Sequence, residues 1–284
     1  MALIETKNLT YSYPGSNKPS IKDVSIRVEK GEFVLITGPS GCGKTTLCRC
    51  FNGLIPHFYQ GELTGEISVA GIDATKNPTS TMAKHVGLVF QNPENQLFAL
   101  SIEKDVAFGL ENLGVSREEM RKRVDWALNL TGILDLRERS PHEVSGGQQQ
   151  RVAIASVLAM QPEIIVLDEP TSFLDPLSAE KIFEVIHDLN KNLGITVVLV
   201  EHRLDLTAKY ADHIIIMDQG RVLCDGETRS ILSTDEVRLI GVGIPKATLL
   251  YKMLKKDHSG LGDIIPLSSE ELARQIEEAL RPGA

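Results

Sequence analysis

Short runs of apolar residues alternate along the chain with segments whose apolar residues recur at helical spacing. Within each run, successive positions are apolar rather than alternating with polar ones, which is typical of strands buried on both faces of a parallel sheet. The runs are Phe33–Thr37, Val86–Phe90, Glu163–Leu167, Thr196–Val200 and His213–Met217. The sequence therefore predicts an α/β core built on a parallel sheet.

The pattern is different in three other segments of the N-terminal part of the chain, where apolar and polar residues tend to alternate. These segments are Leu3–Tyr13, Val24–Val28 and Gly65–Ala70. Such alternation indicates strands with one buried face and one solvent-exposed face. We therefore expect a small antiparallel sheet beside the core.

Between Pro93 and Ser145 the pattern is helical, without a convincing strand. The apolar positions recur at helical spacing in two groups. The groups are Val106, Leu110 and Leu113, and Val124, Leu128 and Thr131. We interpret this stretch, about residues 93–150, as a helical subdomain inserted into the core.

The last part of the chain, residues 236–284, is predicted to add two amphipathic helices to a domain of residues 1–235. The first helix is expected to begin at Pro245, and Ser268 is expected to cap the second, with Glu271 three residues later. The apolar stripe of the second helix consists of Leu272, Ile276 and Leu280. The sequence leaves two alternatives open for this tail, packing on its own domain or a contact in a dimer.

Composition narrows the classes of function. The chain has 284 residues, 42% hydrophobic composition and a net charge of −8, which argues against a broad basic face that binds nucleic acid. No signal peptide is recognisable and no apolar run is long enough to span a bilayer. The cysteines lack C-x-x-C spacing and are expected to be reduced cytosolic thiols; they are Cys42, Cys48, Cys50 and Cys224.

A glycine-rich segment follows the first apolar run. It matches G-x-x-x-x-G-K-[ST] and lies between a predicted strand and a predicted helix, as a phosphate-binding loop does. Its glycines let backbone N–H groups face an anion, and the helix N-terminus adds partial positive charge. Lys44 is expected to reach the β- and γ-phosphates of ATP, and Thr45 to bind Mg²⁺. The predicted nucleotide-binding residues are Gly38, Pro39, Ser40, Gly41, Cys42, Gly43, Lys44, Thr45 and Thr46.

Two carboxylates, Asp168 and Glu169, follow the apolar run Glu163–Leu167. Ligand sites of α/β proteins lie at the carboxyl ends of such strands. A strand-end Asp-Glu pair alone would usually be a solvated turn, but beside a phosphate loop it predicts a functional site. Asp168 is expected to hold Mg²⁺, directly or through water, and Glu169 to polarise the attacking water as a general base.

A second anion-binding surface is predicted where Ser145, Gly146, Gly147 and Gln148 precede a helix, because a serine N-cap and two glycines expose backbone N–H groups. With this segment the sequence resembles the ATP-binding-cassette (ABC) ATPases, whose signature is Leu-Ser-Gly-Gly-Gln; here Val144 replaces the leucine. The resemblance covers nearly the whole chain. It implies an ABC-type P-loop NTPase with a RecA-like parallel sheet core, a small antiparallel β subdomain and an inserted helical subdomain.

The resemblance also implies a head-to-tail dimer with two bound ATP molecules. Each ATP is expected to lie between the phosphate loop of one chain and Ser145, Gly146, Gly147 and Gln148 of the other. The second ABC ATPase subunit is either another copy or a paralogue.

Two more catalytic residues are implied by position. Gln91 matches the family's Q-loop glutamine, expected near Mg²⁺ and the attacking water, and His202 matches the switch histidine that contacts the γ-phosphate. With Glu169 and Lys44 they complete the predicted catalytic set, and Gln91 joins Thr45 and Asp168 as a predicted Mg²⁺ ligand.

Two further segments match the family's nucleotide-binding features. Ser172 to Asp175 resembles the D-loop that crosses the dimer interface, although Phe173 is bulkier than the usual residue; Asp175 is therefore a predicted cofactor-binding residue. Tyr13 resembles the aromatic residue that stacks on adenine, and Tyr11 is the competing candidate.

One region indicates a branch of the family. Phe90–Phe98, Asp105–Gly109 and Glu111–Gly114 resemble the ATPases of energy-coupling factor (ECF) transporters, including cobalt and nickel uptake systems, with Leu110 in place of the usual proline. This resemblance implies import of a vitamin or a transition-metal ion. It also implies a transmembrane scaffold and a substrate-binding membrane subunit as partners, no nucleic acid, and a peripheral location at the cytoplasmic face of the cell membrane.

The segment Gln91–Phe98 is expected to line a groove for a coupling helix of the scaffold, with Glu94 pairing a basic side chain. The alternative is that Leu97 and Phe98 belong to the subdomain core and Glu94 is a solvated charge. Two other functions stay open, a soluble cassette ATPase that acts on nucleic acid or ribosomes, and the motor subunit of an exporter.

Overall fold

The computed structural model of the chain describes residues 2–172, 174–234, 237, 240–257 and 261–280. In chain order the described strands are β1 (Ala2–Ser12), β2 (Ile21–Val24), β3 (Arg27–Glu29), β4 (Phe33–Thr37), β5 (Glu62–Val69), β6 (Ile72–Asp73), β7 (Val86–Val89), β8 (Ile164–Asp168), β9 (Thr196–Val200), β10 (His213–Asp218) and β11 (Arg221–Glu227). The described α-helices are α1 (Lys44–Phe51), α2 (Leu54–His57), α3 (Thr79–Met82), α4 (Ile102–Asn112), α5 (Arg117–Leu130), α6 (Gly146–Ala159), α7 (Pro176–Leu193), α8 (Leu204–Thr207), α9 (Thr228–Ser233), α10 (Lys246–Asp257) and α11 (Ser269–Ala279).

The larger of two sheets forms the centre of the fold, in the strand order β11-β10-β4-β9-β8-β7. Strands β10, β4, β9, β8 and β7 are parallel, and β11 runs antiparallel to β10. Every residue of β4, β8 and β9 is buried, as their continuous apolar sequences predict. Because the strands are parallel, the loops after β4, β7, β8 and β9 meet at one edge of the sheet.

The smaller sheet has β1 at its centre, paired antiparallel with β2, β3 and β5. The predicted strand Val24–Val28 is wrong as one unit, because the chain forms β2 and β3 with a break between them. At the break, the Thr6 hydroxyl donates to the Val24 oxygen at 3.0 Å and accepts from the Ile26 N–H at 3.1 Å. A side chain thus replaces part of the backbone ladder there.

The helical subdomain consists mainly of α4, α5 and α6, which pack on one another and on the central sheet through a shared apolar cluster. Two of the six residues in the predicted periodic groups, Leu113 and Thr131, lie one position beyond the ends of α4 and α5. None of the described helices combines the length and apolar character needed to cross a membrane.

Helices α10 and α11 extend the chain beyond α9. Ser268 caps α11 by accepting from the Glu271 N–H at 3.2 Å, as predicted. The Glu271 carboxylate accepts from both terminal nitrogens of Arg229 at 2.9 Å. Leu272 is buried, whereas Leu280 is largely exposed, so the predicted apolar stripe does not extend to Leu280. The tail therefore packs on its own chain; the predicted domain boundary at 235/236 lies outside the described residues, and the division itself stays a proposal.

The Arg229–Glu271 pair is expected to make the tail's stability depend on pH. The Arg229 guanidinium holds the pKa of Glu271 below its usual value, so this stabilisation is complete above the unfolded-state pKa, about 4.3, and is lost as the pH falls through the lower folded-state value. Glu271→Gln should reduce the free energy of unfolding by about 1 kcal/mol at pH 7, because both side chains of the pair are partly exposed to solvent. Denaturant unfolding of both proteins at a series of pH values should show this difference shrinking below about pH 4.

The matched control is Glu277→Gln, because Glu277 is an exposed carboxylate on the same helix. A difference between wild type and Glu271→Gln that is the same at all pH values would contradict the assignment to this ion pair.

Candidate functional site

The glycine-rich loop lies between β4 and α1, at the edge where the parallel strands end. Gly38 has φ of +149° and Gly43 has φ of +107°, values that favour glycine. A Cβ on Gly38 would lie 2.0 Å from the backbone oxygen of Met217, and a Cβ on Gly43 would lie 2.4 Å from that of Ser20. Neither position accepts a side chain, so the loop packs directly on neighbouring backbone.

Lys44, the first residue of α1, is buried, and its ammonium donates to the backbone oxygens of Gly38 at 2.9 Å and Pro39 at 3.0 Å. An open cleft of about 320 Å³ lies beside it. The residues that line the cleft are Ser20, Ser40, Gly41, Gly43, Lys44, Thr45, Thr46, Gln91 and Glu169. Ser20 was not among the site residues predicted from the sequence. No motif marks it, because its packing against Gly43 involves its backbone.

Gly38, Pro39 and Cys42 build the loop rather than line the cleft. The Cys42 N–H donates to the Pro39 oxygen at 3.3 Å, and the Cys42 oxygen accepts from the Gly220 N–H at 3.0 Å. Burial also raises the pKa of the Cys42 thiol. Direct contact of these three residues with a nucleotide stays a prediction.

Asp168 ends β8 beside the phosphate loop, where it is buried and lies close to the Thr45 side chain. Its Oδ1 has no hydrogen-bond partner among the described residues. Burial, more than any other cause, raises the pKa of this carboxyl, and a cation beside it would offset that effect. Carboxylate and hydroxyl oxygens are ligands that Mg²⁺ prefers, so Asp168 and Thr45 fit a bound Mg²⁺.

The loops after β7, β8 and β9 bring three predicted catalytic residues together. Gln91 donates from Nε2 to Glu169 Oε2 at 2.7 Å, and His202 Nε2 lies 2.9 Å from Glu169 Oε1. Glu169 has φ of +48°, and its N–H donates to the Val200 oxygen at 3.0 Å. Both oxygens of the carboxylate are thus oriented by side chains, next to the cleft that Lys44 lines.

The signature segment forms a capping box at the start of α6. Ser145 Oγ accepts from the Gln148 N–H at 3.4 Å, and Gln148 Oε1 accepts from the Ser145 N–H at 3.0 Å. The N–H groups of Gly146 and Gly147 have no acceptor within the helix. None of these four residues lines the cleft beside Lys44.

Asp175 is the N-cap of α7, and its Oδ1 accepts from the N–H groups of Leu177 at 3.1 Å and Ser178 at 3.0 Å. The Ser178 donors hold the pKa of the Asp175 carboxyl below its usual value. Within the described residues, Asp175 therefore serves as the cap of α7. Its predicted contact with the cofactor stays a proposal. Phe173, noted in the sequence as unusually bulky, lies outside the described residues.

The two tyrosines proposed for adenine stacking differ in exposure. Tyr11 is fully buried, and its hydroxyl donates to the Gln60 oxygen at 2.8 Å, so its ring has no free face for a base. Tyr13 is half-buried, and its hydroxyl lies 3.0 Å from Arg49 Nη1 and 3.3 Å from Thr46 Oγ1. Of the two candidates, only Tyr13 is available beside the phosphate loop.

Tyr13→Ala is expected to weaken ATP binding by about tenfold, because stacking of a base on an aromatic ring contributes about 1–3 kcal/mol. Affinity for tripolyphosphate, which has no base, should not change. Tyr13→Phe keeps the ring and should bind ATP nearly as wild type does. Calorimetric titration of each variant with both ligands measures this, and an equal loss for ATP and tripolyphosphate would contradict base stacking.

The phosphate loop on a parallel sheet and the strand-end carboxylates define a P-loop nucleotide-binding ATPase site. The family model described as ABC transporter matches residues 21–172. A protein of Pyrococcus abyssi, whose name gives its predicted role as an ABC transporter ATP-binding protein, is 45% identical over 99% of this chain and 100% of its own length.

Two solved structures are also similar. The structure of cbiO1 from Clostridium perfringens, described as part of the ABC transporter complex cbiONQ, is 33% identical with a TM-score of 0.73, over 89% of this chain and 99% of that one. The dimeric ATP-binding cassette MJ0796 in a post-hydrolysis state, bound to ADP and Pi, is 32% identical with a TM-score of 0.72, over 80% of this chain and 99% of that one. The chain belongs to the ABC transporter family and is an ATP-hydrolysing ATPase subunit.

Proposed function

We propose that the chain is the ATPase of an ECF-type importer, which takes up a vitamin or a transition-metal ion. The observation that carries this proposal is the ECF-like segment after β7, supported by similarity to cbiO1 over most of both chains. In this proposal the chain is a peripheral protein at the cytoplasmic face of the membrane. A transmembrane scaffold and a small substrate-binding membrane subunit form the transport path.

Glu169 acts as the general base in the proposed mechanism. Its carboxylate, held by Gln91 and His202, takes a proton from the water that attacks the γ-phosphate. Lys44 and His202 stabilise the negative charge that develops on the phosphate oxygens. Thr45, Asp168 and Gln91 would hold Mg²⁺, which would supply further charge neutralisation on those oxygens.

Catalysis in this proposal needs two subunits. The signature segment of one chain closes over the cleft of the other, where the N–H groups of Gly146 and Gly147 face the γ-phosphate. Asp175 and the segment before it lie at the same interface. The signature segment is not among the residues that line the cleft of its own chain, which supports this arrangement.

A surface beside the Q-loop fits the membrane subunit. Phe98 is 61% exposed and Leu100 is 82% exposed, and the Phe98 ring meets Phe108 edge-on with 4.7 Å between centroids. The buried Asp105 carboxylate fixes the Phe98 N–H at 3.1 Å. Glu94 is exposed close by in the sequence. Apolar side chains with an acidic neighbour suit an amphipathic coupling helix with a basic residue.

Leu97 does not belong to this surface. It is buried in the apolar cluster of the helical subdomain, so the expectation that the whole segment Gln91–Phe98 lines the groove is wrong at this residue. The side chains of adjacent loop residues can point in different directions. Here the Leu97 side chain is buried, whereas the Phe98 side chain is exposed.

Phe98→Glu tests the membrane surface. Because exposed aromatic residues often dominate interfaces, we expect recovery of the membrane subunits with the tagged chain to fall by more than about tenfold. Leu223→Glu is the matched control, since Leu223 is an exposed apolar residue on β11, at the opposite edge of the sheet from β7. Equal recovery with both variants would contradict the assignment of this surface.

The transport proposal as a whole is tested by purifying the tagged chain from its native membrane. We expect a scaffold and a small substrate-binding membrane protein to co-purify. Recovery with a ribosome or nucleic acid, or with an exporter's membrane subunits, would contradict the proposal.

A further inference from the structure

Glu201 is a buried carboxylate outside the predicted site. It directly follows β9, is 4% exposed, and its N–H donates to the Ile36 oxygen at 3.2 Å. Burial of a carboxylate is unfavourable unless hydrogen-bond donors surround it. The position of its donors therefore indicates the structural role of Glu201.

In the part of the chain that the structure describes, the donors to this carboxylate come from the two loops that carry Glu169 and His202. Oε2 accepts from the N–H of His202 at 2.8 Å and from the N–H of Arg203 at 3.1 Å. Oε1 accepts from the hydroxyl of Thr171, which is also buried. Arg203 donates from its guanidinium to the Thr171 oxygen at 2.8 Å. The histidine loop and the loop after Glu169 are thus joined through Glu201.

We propose that Glu201 is a positioning residue that holds His202 against Glu169 and links it to the segment leading to Asp175. This inference rests on the proposed roles of Glu169, His202 and the Asp175 segment. Thr171 directly precedes this segment, Ser172 to Asp175, and its backbone oxygen accepts from the Leu174 N–H at 3.0 Å. Thr171, Glu201 and the His202 backbone thus form one series of hydrogen bonds between this segment and the histidine.

Side-chain chemistry separates variants that keep the link from variants that break it. Glu201→Gln keeps an oxygen for the two backbone N–H groups, and its amide donates to the Thr171 hydroxyl, which accepts as well as donates. Thr171→Ser keeps the hydroxyl. Thr171→Val removes the hydroxyl with little change in volume, and Glu201→Ala removes every contact of the carboxylate.

Nitrogen NMR of the intact chain with labelled histidine measures the position of the His202 ring directly, with no need for a partner subunit. Its resonances are assigned from their loss in His202→Ala. We expect Thr171→Val and Glu201→Ala to shift the ring resonances of His202. Thr171→Ser and Glu201→Gln should leave them close to wild type.

Turnover in the assembled complex provides the second measurement. Thr171→Val is expected to lower kcat by about tenfold to a hundredfold, since small displacements of catalytic groups have effects of this size, while the Kd for ATP stays unchanged. Thr171→Ser should restore kcat. The double variant Thr171→Val, Glu201→Ala should be no slower than Glu201→Ala alone, because both substitutions break the same link.

Thr248→Val is the matched control for loss of a buried threonine hydroxyl. Thr248 is fully buried and donates to the Pro266 oxygen at 2.6 Å, away from the site. This variant should lower the thermal midpoint without moving the His202 resonances or kcat. The proposal would be overturned if Thr171→Val, like Thr248→Val, left the His202 resonances and kcat unchanged. It would also be overturned if Thr171→Ser failed to restore kcat.

Loss of the positioning link and failure of the proposed function give different results. Wild-type turnover by His202→Ala would contradict the proposed role of His202 and, with it, the expected effect of the link on kcat. The NMR shift in Thr171→Val would still support the positioning of His202 by Glu201.

Discussion

Glu169→Gln is expected to slow ATP hydrolysis by a factor of about 10² to 10⁴, the range that a general base contributes. Glutamine has nearly the same shape as glutamate, so ATP binding should persist. It lacks the charge that takes up the proton of the attacking water. ATP should therefore accumulate unhydrolysed, and two ATP-bound subunits should stay associated. Phosphate release measures the rate, and light scattering coupled to size-exclusion chromatography measures the association.

The matched control for this prediction is Glu163→Gln. Glu163 lies immediately before β8, at the opposite end of the strand from Glu169, and its carboxylate pairs with His85 Nδ1 at 2.7 Å. It lies at the amino-terminal end of β8, whereas the phosphate loop lies at the carboxyl ends of the parallel strands. Its substitution should therefore leave hydrolysis unchanged. Normal turnover by Glu169→Gln would refute the assignment of the base.

The core strands could be predicted because their sequences leave little choice. Strands β4, β8 and β9 are buried at every residue, so an unbroken apolar run identifies them. Strand β11 was not predicted. It lies at the sheet edge, where exposed and half-buried residues alternate and include charged residues. Strand β11 is defined by its backbone hydrogen bonds with β10. Its sequence contains no apolar run from which those hydrogen bonds could be predicted.

The meeting of Gln91, Glu169 and His202 could be anticipated from topology, since loops after parallel strands share one edge. The choice between Tyr11 and Tyr13 could not. Residues two positions apart in a strand lie on the same face, so the pattern treats the two tyrosines alike. The structure separates them because β1 ends at Ser12, which leaves Tyr11 inside the sheet and Tyr13 beyond it.

The burial of Glu201 could not be predicted from the sequence either. A glutamate beside a histidine has no spacing that marks it as buried. Its partner Thr171 is 30 positions away in sequence, on a different loop. Only the three-dimensional arrangement shows that both residues are enclosed and hydrogen-bonded.

Gly38→Ala is expected to weaken ATP binding by more than about a hundredfold. The new Cβ would lie 2.0 Å from the Met217 oxygen and 3.0 Å from Cys42 Sγ, and the first of these contacts is with the backbone of a buried strand, which has little room to move. The loop must therefore shift away from β10. Lys44 and the N-terminus of α1 would move with it and no longer converge on one phosphate. Calorimetric titration with ATP measures the loss.

Gly71→Ala separates the steric clash from the cost of the backbone conformation. Gly71 has φ of +76° in the turn between β5 and β6, and among the described residues no heavy atom beyond its two chain neighbours lies within 4 Å of a Cβ built there. Alanine at this position therefore carries only conformational strain, about 1–2 kcal/mol. Its thermal midpoint should fall by a few degrees, about 2–4 °C per kcal/mol for a chain of this size, with ATP affinity unchanged. If Gly38→Ala also retained ATP affinity, the phosphate loop would tolerate displacement from β10, and the tight packing of the loop would not be what positions Lys44.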